Sequence, residues 1–195
     1  MEIDRAAAFE AGHGLFWERG YGGTSLADLL AAMDISRSSF YAAFGSKRAL
    51  YEAVLARYAE RTERLLARID GEARGLEALH RFLTRTIVAA STTDRRRGCL
   101  FVNAVVELEA VDRELHDRAV AGLDGLRAAI DRWLRAAAAE GALRSDIPVE
   151  ALAAQVDLTV KGLRIACREG APRGDLSQRI DMLLTFLAPA EHARP

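Results

Sequence analysis

Apolar residues recur three and four places apart along most of the chain, the spacing that lines one face of an α-helix. Ala8, Phe9, Gly12, Leu15 and Phe16 predict a first helix over residues 4–19, closed by Gly20 in a cap conformation that glycine enters cheaply. Leu26, Leu29, Leu30 and Met33 form the stripe of a second helix, with Ser25 as its N-cap. Asp34-Ile35-Ser36 interrupts the pattern with two turn-favouring residues. Ser36 then caps a third helix, Arg37 to Phe44, which Gly45 ends. Ser46 opens a fourth, with Lys47 in its first turn and Leu50, Val54, Tyr58, Leu65 and Ile69 along one side. Further helices are expected from Gly75 to Ala90, Leu100 to Val111, Asp112 to Glu140, Pro148 to Glu169, and through Leu176, Ile180, Leu183, Leu184 and Leu187. Ser91 to Gly98 reads as a loop in which Arg95, Arg96 and Arg97 are solvated, and a ragged tail follows Pro189. The expectation is an all-α protein of about nine helices: a three-helix head, residues 1–47, and a helical body, residues 48–195.

The third helix is unusual. Phe40 and Phe44 lie on one side, while Arg37, Ser38, Ser39 and Tyr41 offer hydrogen-bond donors on the others. A helix, a three-residue turn and a short donor-rich helix make a helix-turn-helix, whose second helix can enter a major groove. Arg37 stands where a guanidinium can span guanine O6 and N7, or fall back on a phosphate. Ser36, Ser38 and Ser39 are small enough to seat the helix. Thr24, Ser25 and Lys47 look like phosphate anchors, helped by helix N-termini. Tyr41 has a second reading, as a tyrosine packed against the first helix.

The segment from Phe16 to Leu50 resembles the DNA-binding region of TetR/AcrR-type bacterial transcriptional regulators. Leu15-Phe16, Gly20-Tyr21, Thr24-Ser25, Asp28, Ile35-Ser36, Ser39-Phe40-Tyr41, Phe44 and Ser46-Lys47 carry the likeness. Gly98-Cys99-Leu100 and Asn103 echo one branch of that family. The resemblance implies a cytoplasmic homodimer on a palindromic operator, most simply a repressor released by a small, apolar effector. It also implies that the Tyr41 hydroxyl reaches the backbone or its ring meets a thymine methyl. Half-sites should lie about 34–36 Å apart. Two departures stand out. Only Arg5 is basic near the start, beside Glu2 and Asp4, so either no arm reads the minor groove or the protein extends further at its N-terminus than this sequence. Ala42 and Ala43 replace a bulkier pair that often contains histidine, shortening the list of base readers.

In the body, Leu152, Val156, Leu163 and Cys167, with Leu176, Ile180, Leu183, Leu184 and Leu187, are the expected dimer interface, two helices from each subunit forming a four-helix bundle. The alternative is that they close the monomer core. Asn103 and Glu107 share a helix face with Leu100 and Ala104, and burying such polar groups is costly unless they are paired. They mark a ligand pocket or a structural hydrogen bond, and Asn103 favours the latter. Phe82, Thr86, Phe101, Trp133 and Leu158 complete the candidate pocket wall, each with ordinary core as its other reading. The inducer site itself is implied by the resemblance.

Composition narrows the rest. Twenty-seven basic and twenty-eight acidic residues among 195 leave no overall field for DNA, so any nucleic-acid face must be a local patch. A chain of this length buries about 70% of its unfolded surface. No apolar run approaches a membrane span, and the start has no signal-peptide pattern. Gly22-Gly23 has no preceding strand or following Lys-Ser/Thr, so it is a connector and no phosphate loop. Glu10…His13 and Glu77…His80 have the spacing of di-metal bundle enzymes but fall in head and body separately. No catalytic residue, metal or cofactor is expected. Cys99 and Cys167 are too few for a disulfide framework but leave a thiol-oxidation switch as an alternative, beside a DNA-binding dimer with no ligand.

Overall fold

A computed structural model describes residues 4–189. The first three residues, Glu2 among them, and the tail expected after Pro189 lie outside them. The described residues form α1 (Arg5–Arg19), α2 (Leu26–Met33), α3 (Arg37–Phe44), α4 (Lys47–Glu72), α5 (Gly75–Leu83), α6 (Thr92–Arg97), α7 (Leu100–Leu108), α8 (Arg113–Ala139), α9 (Val149–Glu169) and α10 (Arg173–Leu187). A π-helical turn, Thr84–Val88, extends α5. The all-α architecture stands.

Two local features differ from the sequence pattern. The stretch expected as a loop from Ser91 to Gly98 contains α6, because the Ser91 hydroxyl accepts the Asp94 amide at 3.0 Å and starts a turn that Gly98 ends. Pro148 sits at the N-cap of α9 instead of inside its first turn.

By contacts, the chain divides into two compact units. The first comprises Met1–Arg61 and Leu100–Ala121, and the second Thr62–Cys99 and Gly122–Pro195. This differs from a boundary at residue 48, since α7 and the start of α8 pack with the head. Burial shows why. Phe16, Leu29, Phe40, Leu50, Tyr51 and Val54 of the first four helices are buried, as are Leu100, Ala104, Leu108 and Leu115. The Tyr51 ring meets Phe16 edge-on at 4.9 Å and Tyr21 at 5.1 Å, while Tyr58 meets Phe101 at 4.8 Å. The second unit has its own core of α5, α8, α9 and α10 side chains around Phe82, Trp133, Val156 and Leu163. The Trp133 indole N–H, which would be costly to bury unpaired, donates to Asp70 at 2.6 Å.

Candidate nucleic-acid interface

Capping fixes the ends of the head's helices. The Asp4 carboxylate accepts the Ala6 and Ala7 amides at the start of α1. Ser25 and Asp28 form a reciprocal capping box on α2, each side chain accepting the other's backbone N–H. Ser36 accepts the Ser39 amide at 3.1 Å, and Ser46 the Ala49 amide at 3.0 Å. The turn between α2 and α3 bends through Asp34 at φ 52°, a left-handed conformation that aspartate tolerates better than most residues.

Helix α3 is held by one side only. Phe40 is fully buried with its ring tilted against Phe44, over whose ring lies the Arg5 guanidinium at 5.7 Å. Ser36, Arg37, Ser38, Tyr41 and Ala42 are exposed, Tyr41 to 47%. Ser39 and Ala43 are half-buried. Arg37 makes no hydrogen bond or ion pair with any described residue. The hydroxyls of Ser36, Ser38 and Ser39 join in a short chain, with oxygens 2.9 Å apart on either side of Ser36. The exposed Ser36 and Ser38 hydroxyls beside an unengaged guanidinium can meet both phosphate oxygens and base edges.

The anchors divide. Ser25 is exposed at the α2 N-terminus. Thr24 requires a correction: its side chain is fully buried, its hydroxyl donates to the Gly20 carbonyl at 2.7 Å, and its amide reaches the Tyr21 carbonyl. It shapes the loop before α2 and has nothing left for a phosphate. The Lys47 ammonium lies 4.3 Å above the Tyr21 ring, where burial lowers its pKa while Glu107 opposes the shift. Gly23 is a connector by necessity, since a Cβ there would stand 2.4 Å from the Arg19 carbonyl oxygen.

Two matches identify the chain. The family described as "Bacterial regulatory proteins, tetR family" matches residues 8–54, which span α1 to the start of α4. The family described as "Tetracyclin repressor-like, C-terminal domain" matches residues 75–179, more than half the chain. The protein belongs to the TetR family. It is 30% identical over 182 residues to the HTH-type transcriptional repressor ComR of Escherichia coli (strain K12), covering 90% of this chain and 85% of the relative. It is 27% identical to an uncharacterized HTH-type transcriptional regulator, YezE, of Bacillus subtilis (strain 168), covering 95% and 97%. Among solved structures it is similar to a cysteine mutant of the TetR family regulator CifR complexed with 26bp double-strand operator DNA. That likeness has a TM-score of 0.83 at 30% identity, over 96% of this chain and 98% of that one. Membership makes the protein a DNA-binding transcriptional regulator.

The TetR-family body departs further from expectation than the head. The nine residues expected at the dimer interface turn inward: Leu152, Val156, Leu163, Cys167, Leu176, Ile180, Leu183 and Leu187 are buried in the second unit's core, and Leu184 packs against it. The outward faces carry Leu158 and Ile165 on α9, and Met182 and Phe186 on α10. Leu158, expected as a pocket wall, is 62% exposed and belongs to that outer face. Both faces of α9 are apolar, and the denser stripe is the core.

The other expected pocket residues are divided between the two units. Leu100, Phe101, Asn103, Ala104 and Glu107 belong to the first unit, whereas Phe82, Thr86 and Trp133 belong to the second. Phe82 and Trp133 pack at 5.8 Å, and Thr86 in the π turn donates its hydroxyl to the Phe82 carbonyl. Trp133 also borders an open cleft of ≈ 540 Å³ lined by Asp70, Arg74, Arg132 and Glu140. Asn103 is half-buried. Glu107 is a structural latch: its two carboxylate oxygens accept the Tyr21 amide at 2.9 Å and the Gly22 amide at 2.5 Å. A neighbouring clasp was not foreseen at all. Arg48 reaches Asp112 at 2.7 Å and Glu114 at 2.6 Å, and Arg118 reaches Glu52 at 2.6 Å. The only hint in the sequence was a glutamate inside the apolar run of α7; its partners lie 86 and 85 residues away.

Glu10 and His13 approach to 3.5 Å and Glu77 and His80 to 3.9 Å, but the pairs lie in different units. Among the described residues no three histidine, cysteine, aspartate or glutamate side chains could share a metal ion. Cys99 and Cys167 are both buried, and burial pushes the Cys167 thiol up against the opposing influence of Arg164 and Arg95. No helix among the described residues is long and apolar enough to cross a membrane.

Proposed function

We propose that this chain is a cytoplasmic repressor that binds a palindromic operator as a homodimer and leaves it when a small, apolar effector occupies its helical body. The exposed face of α3 carries the proposal: Arg37, Ser38 and Tyr41 point outward while Phe40 locks the helix from behind. In this reading Arg37 reads a base and Ser25, Ser36, Ser38 and Ser39 seat the helix on phosphates. Lys47 joins them when it leaves the Tyr21 ring. Dimerisation runs through the outer faces of α9 and α10, where Leu158, Ile165, Met182 and Phe186 are otherwise apolar surface in water. Of the expected wall, Phe82, Thr86 and Trp133 remain the effector candidates, because they cluster at the π turn, an irregularity that recurs at functional sites. No catalytic step is part of the proposal.

Release is a difference in affinity. An effector shifts the dimer off DNA only by as much as it prefers the unbound conformation. The test is footprinting of the promoter fragment that the purified protein protects, followed by titration of candidate effectors into free and operator-bound protein. Equal affinity in both states would remove the switch. Absence of any protected duplex at low ionic strength would remove the repressor.

A further inference from the structure

The second unit gathers six arginines at one corner: Arg95, Arg96 and Arg97 on α6, Arg164 and Arg168 on α9, and Arg173 at the start of α10. Helix α6 packs on α9, which brings them together. The carboxylates on the same stretches are Asp94, Glu169 and Asp175. Other arginines of this unit face acids: Arg85 meets Glu72 at 2.6 Å, Arg132 meets Asp70 at 2.6 Å, and Arg144 meets Asp146 at 2.7 Å. At the corner, four guanidinium heads reach carbonyl oxygens. Arg95 donates to Ala171 at 3.4 Å, Arg164 to Thr86 at 2.7 Å, Arg168 to Arg97 at 3.2 Å and Arg173 to Ala90 at 3.0 Å. Arg97 also approaches Asp94 at 3.7 Å.

These bonds have a structural use, because they tie the ends of the π turn, α6 and α9 together. A carbonyl occupies one of a guanidinium's five N–H donors and, being neutral, leaves the charge of Arg95, Arg164 and Arg173 uncompensated. Two features go beyond helix capping. Arg96 is exposed, makes no hydrogen bond or ion pair with any described residue, and lies against Gly170, so close that a Cβ there would be 3.3 Å from its Nη2. The Arg95 Nε is buried and meets no acceptor.

We propose that this corner binds a small multivalent oxyanion, through phosphate or carboxylate groups that bridge Arg96 to the remaining donors of its neighbours. An oxyanion supplies acceptors and charge together, and planar guanidinium forks match both groups. Among the described residues Arg96 has no partner and Arg95, Arg164 and Arg173 donate to neutral carbonyls, so a ligand with two or more charges suits the corner better than one with a single charge. Carbonyl partners hold four of the heads in place beforehand, which limits the entropy lost on binding.

The experiment is calorimetric titration of the full chain, without DNA, with pyrophosphate in one arm and citrate in another, each against chloride at matched ionic strength. Saturable binding of either anion is expected, and which arm binds distinguishes a phosphorylated from a polycarboxylate ligand. Arg96→Gln should weaken it about tenfold, the loss of one charge-assisted contact, while melting like the wild type without anion. Arg113→Gln, an exposed arginine of the other unit, should bind like the wild type. No heat beyond chloride in either arm would overturn the site, as would equal weakening by Arg96→Gln and Arg113→Gln. Because no DNA enters the assay, this result is independent of operator binding.

Discussion

The Glu107 latch is open to direct perturbation. Helix α7 delivers one carboxylate to two consecutive amides of the turn after α1, so that turn, which positions α2 and α3, leans on a residue 85 positions away. Each bond is charge-assisted, worth about 1.5–3 kcal/mol when its partner groups are otherwise unsatisfied. The Gly22 amide is near the surface and water can replace its partner, while the Tyr21 amide is part-buried. Glu107→Ala should therefore cost about 2 kcal/mol in all. For a chain of this size that lowers the melting temperature by about 4–8 °C. Glu107→Gln should fall between, since its amide can accept one N–H but turns a donor toward the other. Differential scanning calorimetry reads the stability, and an operator-binding titration reads the head.

Gly20 supplies the internal control. Its φ is +81°, and a Cβ there would lie 2.4 Å from the Glu107 Oε2. Gly20→Ala thus combines a backbone penalty with a clash against the latch. In a Glu107→Ala background the clash vanishes and only the backbone penalty remains, so the two losses should be less than additive. A Glu107→Ala protein that melts and binds duplex like the wild type would refute the latch. Full additivity with Gly20→Ala would refute the contact between them.

Four other outcomes are expected. Arg37→Ala should lose about 1–3 kcal/mol of discrimination at one position per half-site, whereas Lys47→Ala should weaken all sequences alike and lower the salt slope by about one; competitive binding to single-base operator variants at several salt concentrations reads both. Ile165→Asp with Met182→Asp should give a folded monomer by analytical ultracentrifugation, while Leu163→Ala, in the core, should cost about 2–5 kcal/mol of stability; a persistent dimer would move the interface elsewhere. Arg48 holds Asp112 and Glu114 below the usual carboxylate range. The folded state therefore binds fewer protons there than the unfolded one, so the contribution is present above about pH 4 and lost as pH falls further; melting curves of wild type and Arg48→Gln should converge in acid. Cys167 should resist alkylation at neutral pH until the protein unfolds, as mass spectrometry of iodoacetamide-treated samples can check, and rapid modification of the native protein would revive the thiol switch.

The head was legible because its determinants are local. Ser25, Ser36 and Ser46 each cap within three residues, and Phe40 against Arg37, Ser38 and Tyr41 separates the two sides of α3 within two turns. Thr24 misled for the same reason: a hydroxyl before a helix has a local use as an anchor, and only the folded loop shows it spent on the Gly20 carbonyl. In the body, local pattern gives the helices but not their facing. Leu152, Val156, Leu163 and Cys167 form the continuous stripe of α9, and a continuous stripe is what a core requires from a helix that touches several neighbours. An interface between copies needs less, so its mark is the sparser pair Leu158 and Ile165 on the opposite face. The same asymmetry governs the charges. Arg81 pairs with Glu77 four residues earlier and is visible in sequence, whereas Arg48 with Asp112 is not. The triple arginine of α6 looked solvated because Ser91 to Gly98 reads as a loop; packing of α6 on α9 set it beside Arg164 and Arg168, a juxtaposition that no helical spacing within α6 records.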